Sequence, residues 1–477
     1  MLSDNPKIFA DSGSFRDPAG VVYKINDSLN KTRIVRGVNK DVYINQMHFL
    51  ESGIYDELEN NKQIIKTSVL DKNHLPVSDI FKKWSGFLEH QNLEFISYPY
   101  EWSFSQLRDA ALFHLDLLLI LLEKGWIIKD SSPYNIQFLN NKPIFIDTPS
   151  IIKWEDGSGW DAYRQFCMLF LYPLMLTSYS GIEFRSLLRS NLNGVEPNYI
   201  FKVLGFRKLL KSGVISHVFL PNLIEQNILK KEKNTFRAKS RANIKHSKLS
   251  VIATVDSVKS IVSNLKINKV TTAWSDYENI NTYEDNETIK KKSFIKEICL
   301  QNKIHTVWDM GANTGIFSYH IRNDVKKIIA MDSDSEAINK MYERLKLQET
   351  NIHPIVMKLE NMSPNHGFGY MERVNLEKRA KPDLVMCLAL IHHLRITENI
   401  PIENFITYLH TLNSNLIIEF VNRDDEMVMK LLLNKKEQYS DYNIENFVNI
   451  SKKFFNIKKM LELKDGKRVL FFLKPKN

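Results

Sequence analysis

The feature that most constrains the fold is a glycine-containing turn, DMGANTG at 309–315, between an apolar strand predicted at 306–309 and a helix. Glycine lets the backbone turn tightly and approach a ligand closely. The helix that follows has unpaired N–H groups at its start. Asp332 ends the next predicted strand, 23 residues after Asp309. A carboxylate there can accept hydrogen bonds from both hydroxyls of a ribose, so the pattern predicts a nucleoside site.

Strands and helices alternate through the last part of the chain, 266–477. Further strands are predicted at 327–331, 352–357, 383–388, 415–421 and 468–473. The pattern Ser333-x-x-Glu336 predicts a capping box at the start of a helix. Such alternation indicates an α/β fold with a parallel, doubly wound Rossmann-like sheet. Ligands bind such sheets at the carboxyl ends of the strands.

The order strand, D-x-G-x-N-x-G, helix, strand, Asp resembles the class I S-adenosylmethionine-dependent methyltransferases, and so does DLVMCLALIHHL at the fourth strand. The resemblance implies that S-adenosylmethionine is the cofactor and that Asp332 holds its ribose. It implies further cofactor-binding residues in the turn, namely Asp309, Gly311, Asn313 and Gly315. Two alternatives remain: a dinucleotide-binding domain, which would carry G-x-G-x-x-G, and a Rossmann-like turn that binds nothing.

Longer segments, among them SPNHGFGYMERVNL at 363–376, look like an uncharacterised group of bacterial methyltransferases. The chain departs from the family after the third strand, where Lys358 stands in place of an acidic residue. The adenine amino group is then left to Glu360, Asn361 or a backbone carbonyl, and we assign Asn361 to the cofactor site.

The candidate catalytic residues are His392 and His393, which follow the fourth strand. Methyl transfer needs an in-line approach of the nucleophile and can use a base that titrates near neutral pH. Packing or hydrogen bonding is the alternative role for one or both histidines. Glu419 and Asn422 either line the acceptor pocket or are structural. The Glu-Arg pair at 372–373 either forms an internal ion pair or clamps an anionic acceptor.

The N-terminal half carries a second pattern, in which Asn135 follows Asp130 by five residues and Asp147 follows Asn135 by twelve. In protein kinases this spacing sets the catalytic base before two ligands of Mg²⁺. Residues 1–200 therefore resemble an α+β kinase-like domain of the aminoglycoside-phosphotransferase or lipopolysaccharide-kinase sort, in which Asp130 is the base and Asn135 and Asp147 hold the metal.

This half departs from the kinase pattern at two places. It has no G-x-G-x-x-G, and Thr148-Pro149 replaces the Phe-Gly that follows the second metal-binding Asp. The V-A-I-K lysine of kinases is not identifiable in this half, and the candidates for it are Lys24, Arg33, Arg36 and Lys66. Two interpretations stay open: an inactive scaffold that binds the acceptor or the partner domain, or an active kinase that uses ATP and Mg²⁺.

The net charge of +10 is concentrated in one place, because residues 201–250 contain twelve basic and only two acidic residues. We interpret 201–265 as a basic linker or helical region. It could also follow the phosphates of a nucleic acid or rest on an anionic surface. Phe236 is the one aromatic residue of 230–248, so a base-stacking platform for single-stranded RNA is absent there.

The chain has only three cysteines and no CxxC pair, which excludes a disulfide framework and makes the reducing cytoplasm the expected location. No apolar run approaches the roughly 20 residues that span a bilayer. We therefore expect a cytoplasmic bacterial enzyme that methylates an O or N atom of a small-molecule or glycan acceptor. The alternatives are an RNA methyltransferase, a bifunctional kinase–methyltransferase and, without catalysis, a cofactor-gated binding module.

Overall fold

The computed structural model describes residues 7–26, 32–224, 245–267, 286–433, 438–464 and 466–476. The chain forms two compact units. The first comprises residues 1–269 together with 365–373, and the second comprises 270–364 and 374–477. The segment 365–373 thus belongs to the first unit by its contacts, although its neighbours in sequence on both sides belong to the second.

The first unit contains a five-stranded antiparallel sheet with the order β1-β2-β3-β5-β4. Its strands are β1 (Lys7–Ala10), β2 (Gly20–Asn26), β3 (Thr32–Val38), β4 (Thr67–Leu70) and β5 (Gly86–His90). Two short antiparallel ribbons follow, one of β6 (Trp126–Ile128) with β9 (Ile151–Lys153) and one of β7 (Ile136–Leu139) with β8 (Lys142–Phe145). The β7–β8 ribbon lies between Asn135 and Asp147.

The main α-helices of the first unit are α1 (Lys40–Leu50), α2 (Ile54–Asn60), α3 (Phe104–Glu123), α4 (Tyr163–Phe166), α5 (Tyr172–Ser180), α6 (Phe184–Ser190), α7 (Pro197–Leu204) and α8 (Lys248–Asn264). Helix α3 begins with a capping box of Ser103 and Gln106, and its leucines form much of the buried core. Helix α8 buries one stripe that includes Val255 and Val258. Both described ends of the predicted basic region 201–265 therefore lie in the first unit, whereas its residues 225–244 lie outside the described part.

The second unit contains one seven-stranded mixed sheet with the order β12-β11-β10-β13-β14-β16-β15. Its strands are β10 (Thr306–Met310), β11 (Lys327–Asp332), β12 (Ile352–Val356), β13 (Leu384–Cys387), β14 (Asn415–Val421), β15 (Phe455–Leu463) and β16 (Arg468–Pro475). The first five are parallel, and β16 runs antiparallel to β14 and β15. All four residues of β13 are buried, as expected of a strand covered on both faces.

The described helices of this unit are α9 (Asn286–Gln301), α10 (Ile316–Ile321), α11 (Ser335–Leu345), α12 (Leu376–Arg379), α13 (Ile402–Thr411), α14 (Glu426–Leu431) and α15 (Ile444–Phe454). The predicted Rossmann-like α/β architecture is confirmed in this coarse sense. One local detail was wrong, since Asp334 rather than Ser333 caps α11. The Asp334 carboxylate accepts the N–H groups of Glu336 and Ala337 at 2.8 and 3.2 Å.

None of the described helices combines the length and apolar character needed to cross a membrane.

Candidate functional site

The glycine turn after β10 folds back onto the neighbouring strand. The N–H groups of Gly311 and Ala312 both donate to the carbonyl of Met331, at 2.9 and 3.0 Å. Gly311 and Gly315 have φ values of +78° and +79°, a region that side chains disfavour. A Cβ added at Gly315 would lie 2.9 Å from the sulfur of Met341. The two glycines are thus required by backbone conformation, and Gly315 also by packing.

Asp332 lies at the carboxyl end of β11 and faces this turn. Its two carboxylate oxygens accept the N–H groups of Asn313 and Asp334, each at 2.8 Å. Burial raises the pKa of Asp332, while the backbone hydrogen bonds oppose that rise. The structure therefore brings the acid and the turn together, as the sequence pattern predicts for a nucleoside site.

Asp309 is 2% exposed and lies beneath the turn. Its Oδ2 accepts the hydroxyl of Ser318 at 2.6 Å. Burial raises the pKa of Asp309 to about 6, and the hydrogen bond from Ser318 works in the opposite direction. Asp309 thus supports the start of α10 from below. Ser318 was not predicted, although it belongs to the same segment as the turn.

The loop after β12 completes this edge of the sheet. Asn361 is exposed and ends a 3-10 turn, Leu359–Asn361, in which its N–H donates to the carbonyl of Lys358 at 3.1 Å. Because β11 and β12 are paired in parallel with Asp332 opposite Val356, this loop leaves the sheet at the same edge as Asp332. Lys358 and Glu360 are exposed as well.

The segment after β13 lies at the same edge. Ala389 has a φ of +48°, unusual for a residue with a side chain, and its N–H donates to Glu419 at 3.1 Å. A Cβ added at Gly311 would lie 3.3 Å from Leu390, so Leu390 packs on the turn. Neither Ala389 nor its bond to Glu419 was predicted, because no sequence pattern marks a left-handed alanine.

The two histidines have different surroundings. His392 is 2% exposed, and its ring centroid lies 4.2 Å from that of His393. Burial, followed by electrostatic interactions with His393 and Arg468, lowers the pKa of His392 to about 3. His393 is half-buried, and burial lowers its pKa as well. His392 is therefore an enclosed neutral side chain, and His393 is the one with more access to solvent.

In the first unit, the three residues of the kinase-like pattern are neighbours. The side-chain amide of Asn135 donates to the backbone carbonyl of Asp130 at 3.5 Å, and the backbone carbonyl of Asn135 accepts the N–H of Ile146 at 2.9 Å. Burial, and then the negative charge of Asp147, raises the pKa of Asp130. The loop and the hairpin thus bring Asp130, Asn135 and Asp147 together.

Arg36 of β3 occupies the centre of this group. Its guanidinium forms ion pairs with Asp147 and, at 2.8 Å, with Asp17. The other three candidates for the kinase lysine pair elsewhere, Lys24 with Asp11, Arg33 with Glu89 and Lys66 with Glu59. A magnesium ion would have to displace Arg36 from Asp147. Among the described residues no group of three or more His, Cys, Asp and Glu side chains is placed to hold a metal ion. The metal role of Asn135 and Asp147 stays a prediction.

The segment 365–373 lies against the same region of the first unit. Glu372 forms an ion pair with Arg16 at 2.6 Å. The guanidinium of Arg373 lies 4.2 Å from the ring centroid of Tyr134, the residue before Asn135. The side chains of Glu372 and Arg373 therefore contact different partners rather than each other. The clamp on an anionic acceptor stays a prediction.

Comparison with known proteins gives the family. The second unit is a Rossmann-like α/β domain with a glycine turn facing an acidic strand end. The whole chain is 32% identical over 482 residues to nodulation protein NoeA of Rhizobium meliloti (strain 1021), a match that covers 99% of this chain and 97% of that protein. The chain belongs to the family of NoeA. No model of a known protein family matches it.

Solved structures with partial similarity include two methyltransferases. N-methyltransferase NodS from Bradyrhizobium japonicum WM9, in complex with S-adenosyl-L-homocysteine, is 11% identical with a TM-score of 0.31, over 43% of this chain and 95% of that chain. Magnesium protoporphyrin IX methyltransferase (ChlM) from Synechocystis PCC 6803 is 14% identical with a TM-score of 0.29, over 41% and 88%. The PH0226 protein from Pyrococcus horikoshii OT3 is 16% identical with a TM-score of 0.29, over 40% and 93%.

The buried carboxyl of Asp309 predicts a pH-dependent stability. Its pKa of about 6 in the folded protein, against an ordinary value of 3.8, means that the folded state holds the proton more tightly than the unfolded chain. Asp309 therefore stabilises the fold more at pH 5 than at pH 7.5. We expect wild type to lose about 1 kcal/mol of unfolding free energy relative to Asp309→Asn as the pH rises through this range.

Hydrogen exchange of the β10 amides, with both proteins compared at the same pH, measures this difference within the second unit. A difference between the proteins that does not change with pH would show that Asp309 does not titrate in this range.

Proposed function

We propose that the second unit is an S-adenosylmethionine-dependent methyltransferase that transfers the sulfonium methyl group to an O or N atom of an acceptor. The observation that carries the proposal is the carboxylate of Asp332, which faces the 311–315 turn across one sheet edge. The parallel strands β10 to β14 support it, because ligands bind such sheets at the carboxyl ends of the strands, where the turn and Asp332 lie.

The residues present fit this cofactor. Each oxygen of Asp332 already accepts one backbone N–H, and a carboxylate oxygen has a second lone pair that a ribose hydroxyl can use. Gly311 has no side chain, so a ligand can approach the backbone of the turn closely. Asn361 is exposed at the adjoining strand end and supplies an amide that can pair with the adenine edge.

The bound cofactor would supply an electrophilic methyl group on sulfur. The chain must then orient the acceptor and take its proton. His393 is the better of the two predicted bases, because it is half-buried and its lowered pKa keeps it neutral, able to accept a proton at pH 7. His392 packs behind it and restricts the orientation of its ring.

We infer a small-molecule or glycan acceptor and a cytoplasmic location. The relative NoeA is named as a nodulation protein. A kinase-like half joined to a methyltransferase half resembles the two-domain enzymes that cap surface polysaccharides, which supports a glycoconjugate by analogy. The three described cysteines are free and buried, which is compatible with a reducing compartment.

We expect Asp332→Ala to weaken binding of S-adenosylmethionine at least about tenfold, because hydrogen bonds to a charged group are lost. Isothermal titration of the full chain measures this. Asp334→Asn is the matched control: it also removes one negative charge two residues away, but asparagine retains the helix cap and the N–H that Asp332 accepts. Equal affinity of Asp332→Ala and wild type would contradict the proposal.

We further propose that the first unit is a kinase-like scaffold without phosphotransfer. The ion pairs of Arg36 with Asp147 and Asp17 support this, because they neutralise the acid that would hold a metal. Titration of the full chain with ATP and Mg²⁺ is expected to give no binding heat. Saturable binding to wild type that is lost in Asp147→Asn would instead identify an active nucleotide site.

A further inference from the structure

Glu419 stands out among the acidic side chains of the second unit because it is fully buried and has three different partners. It lies in β14, whose parallel register places it beside the first residues that follow β13. One carboxylate oxygen contacts the ammonium of Lys291 at 2.7 Å and Arg468 at 3.6 Å. The other accepts the N–H of Ala389 at 3.1 Å.

The contact with Ala389 concerns a strained residue. A φ of +48° costs an L-amino acid with a side chain roughly 1–2 kcal/mol, so such a conformation persists only where its surroundings hold it. Here the N–H of Ala389 bonds to a carboxylate that cannot move away, because Lys291 and Arg468 fix its other oxygen.

The conformation of Ala389 determines where the next residues go. Leu390 follows it and packs on Gly311 of the glycine turn. The carbonyl of Leu390 then accepts the N–H groups of His393 and Leu394, at 3.0 and 3.3 Å. A change in the conformation of Ala389 would therefore shift both Leu390, which packs on the glycine turn, and His393, the proposed base.

The charges of this cluster are balanced inside the protein. Arg468 also forms an ion pair with Asp425 at 2.8 Å, so two cations, Lys291 and Arg468, face two acids, Asp425 and Glu419. A balanced cluster leaves no excess charge to attract a substrate. Its role is then structural support of the neighbouring turn rather than substrate binding.

We propose that Glu419 is a positioning residue of the cofactor site: with Lys291 as its counter-ion, it holds Ala389 in the left-handed conformation that sets Leu390 on the glycine turn. The effect on S-adenosylmethionine binding rests on the proposed function. The effect of Glu419 on the conformation of Ala389 does not depend on it. Glu419 is fully buried, and it acts through Ala389.

The test compares Glu419→Gln with the double variant Glu419→Gln/Ala389→Gly. Lys291 and Ala389 contact different oxygens of Glu419, so glutamine in the same position offers an acceptor to one of them and an N–H donor group to the other. We expect Glu419→Gln to weaken binding of S-adenosylmethionine about tenfold in isothermal titration. Glycine adopts a positive φ without strain, so the double variant is expected to recover most of that loss.

Glu297→Gln is the matched control. Glu297 lies in α9, the helix that also carries Lys291, and forms an ion pair of 2.6 Å with Lys459 on the exposed surface. Glu297→Gln breaks this ion pair and should leave the affinity for S-adenosylmethionine unchanged. Failure of Ala389→Gly to restore affinity in the Glu419→Gln background would overturn the proposal, since a residue that only balances charge is not rescued by backbone freedom.

A measurement without ligand separates this proposal from the proposed function. Hydrogen exchange over residues 388–394 should be faster in Glu419→Gln than in wild type, and slower again in the double variant. If wild type bound no S-adenosylmethionine but the three proteins differed in exchange as expected, the proposed function would be wrong and the positioning role right. Unchanged exchange in Glu419→Gln would overturn the positioning role whatever the affinity.

Discussion

The candidate site depends on one carboxylate, that of Asp332, which accepts a backbone N–H from each side. The bond to Asn313 fixes the turn after β10, and the bond to Asp334 fixes the start of α11. Since β10 and β11 are paired in register up to Met310 and Met331, both elements leave the sheet at the same level. Asp332 thus holds the turn after β10 next to the start of α11. A ligand that forms hydrogen bonds with this carboxylate lies close to both elements.

Buried carboxylates in this unit are accommodated in two different ways. Asp309 accepts the hydroxyl of Ser318 and has no cationic partner among the described residues, and burial raises its pKa to about 6. Glu419 is at least as buried but is paired with Lys291 and Arg468. Ion pairs fix the position of the Glu419 carboxylate, whereas Asp309 is held by a hydrogen bond to a neutral hydroxyl. A carboxylate whose position is fixed is the better anchor for a strained backbone.

The local parts of the fold were predictable from sequence. The strands at 327–331 and 415–421 were recognised because their apolar runs are continuous. Strand β15 was missed, because its exposed lysines interrupt the apolar pattern and its pairing with β16 is only evident once the sheet is assembled. The assignment of 365–373 to the first unit was also missed, since it depends on contacts such as Arg16 with Glu372, which are more than 350 residues apart in sequence.

The candidate site was also predictable from the sequence only in part. Spacing identified Asp332 and the turn, but burial separates His392 from His393, and adjacent residues in a sequence give no sign of it. Arg36 could be found only as one of four candidates, because the ion pair that distinguishes it joins β3 to a hairpin more than 100 residues later.

The pairing of Arg36 bears on what the first unit can contribute. One guanidinium pairs with two acids, Asp17 and Asp147, so a cation is already in place beside Asp147. A divalent ion at Asp147 would have to break this buried, hydrogen-bonded ion pair, which is costly. Nearby, Arg373 stacks on Tyr134. Contacts of this kind stabilise one conformation of the first unit. We therefore place the proposed methyl transfer in the second unit, at the edge of the sheet where Asp332 lies.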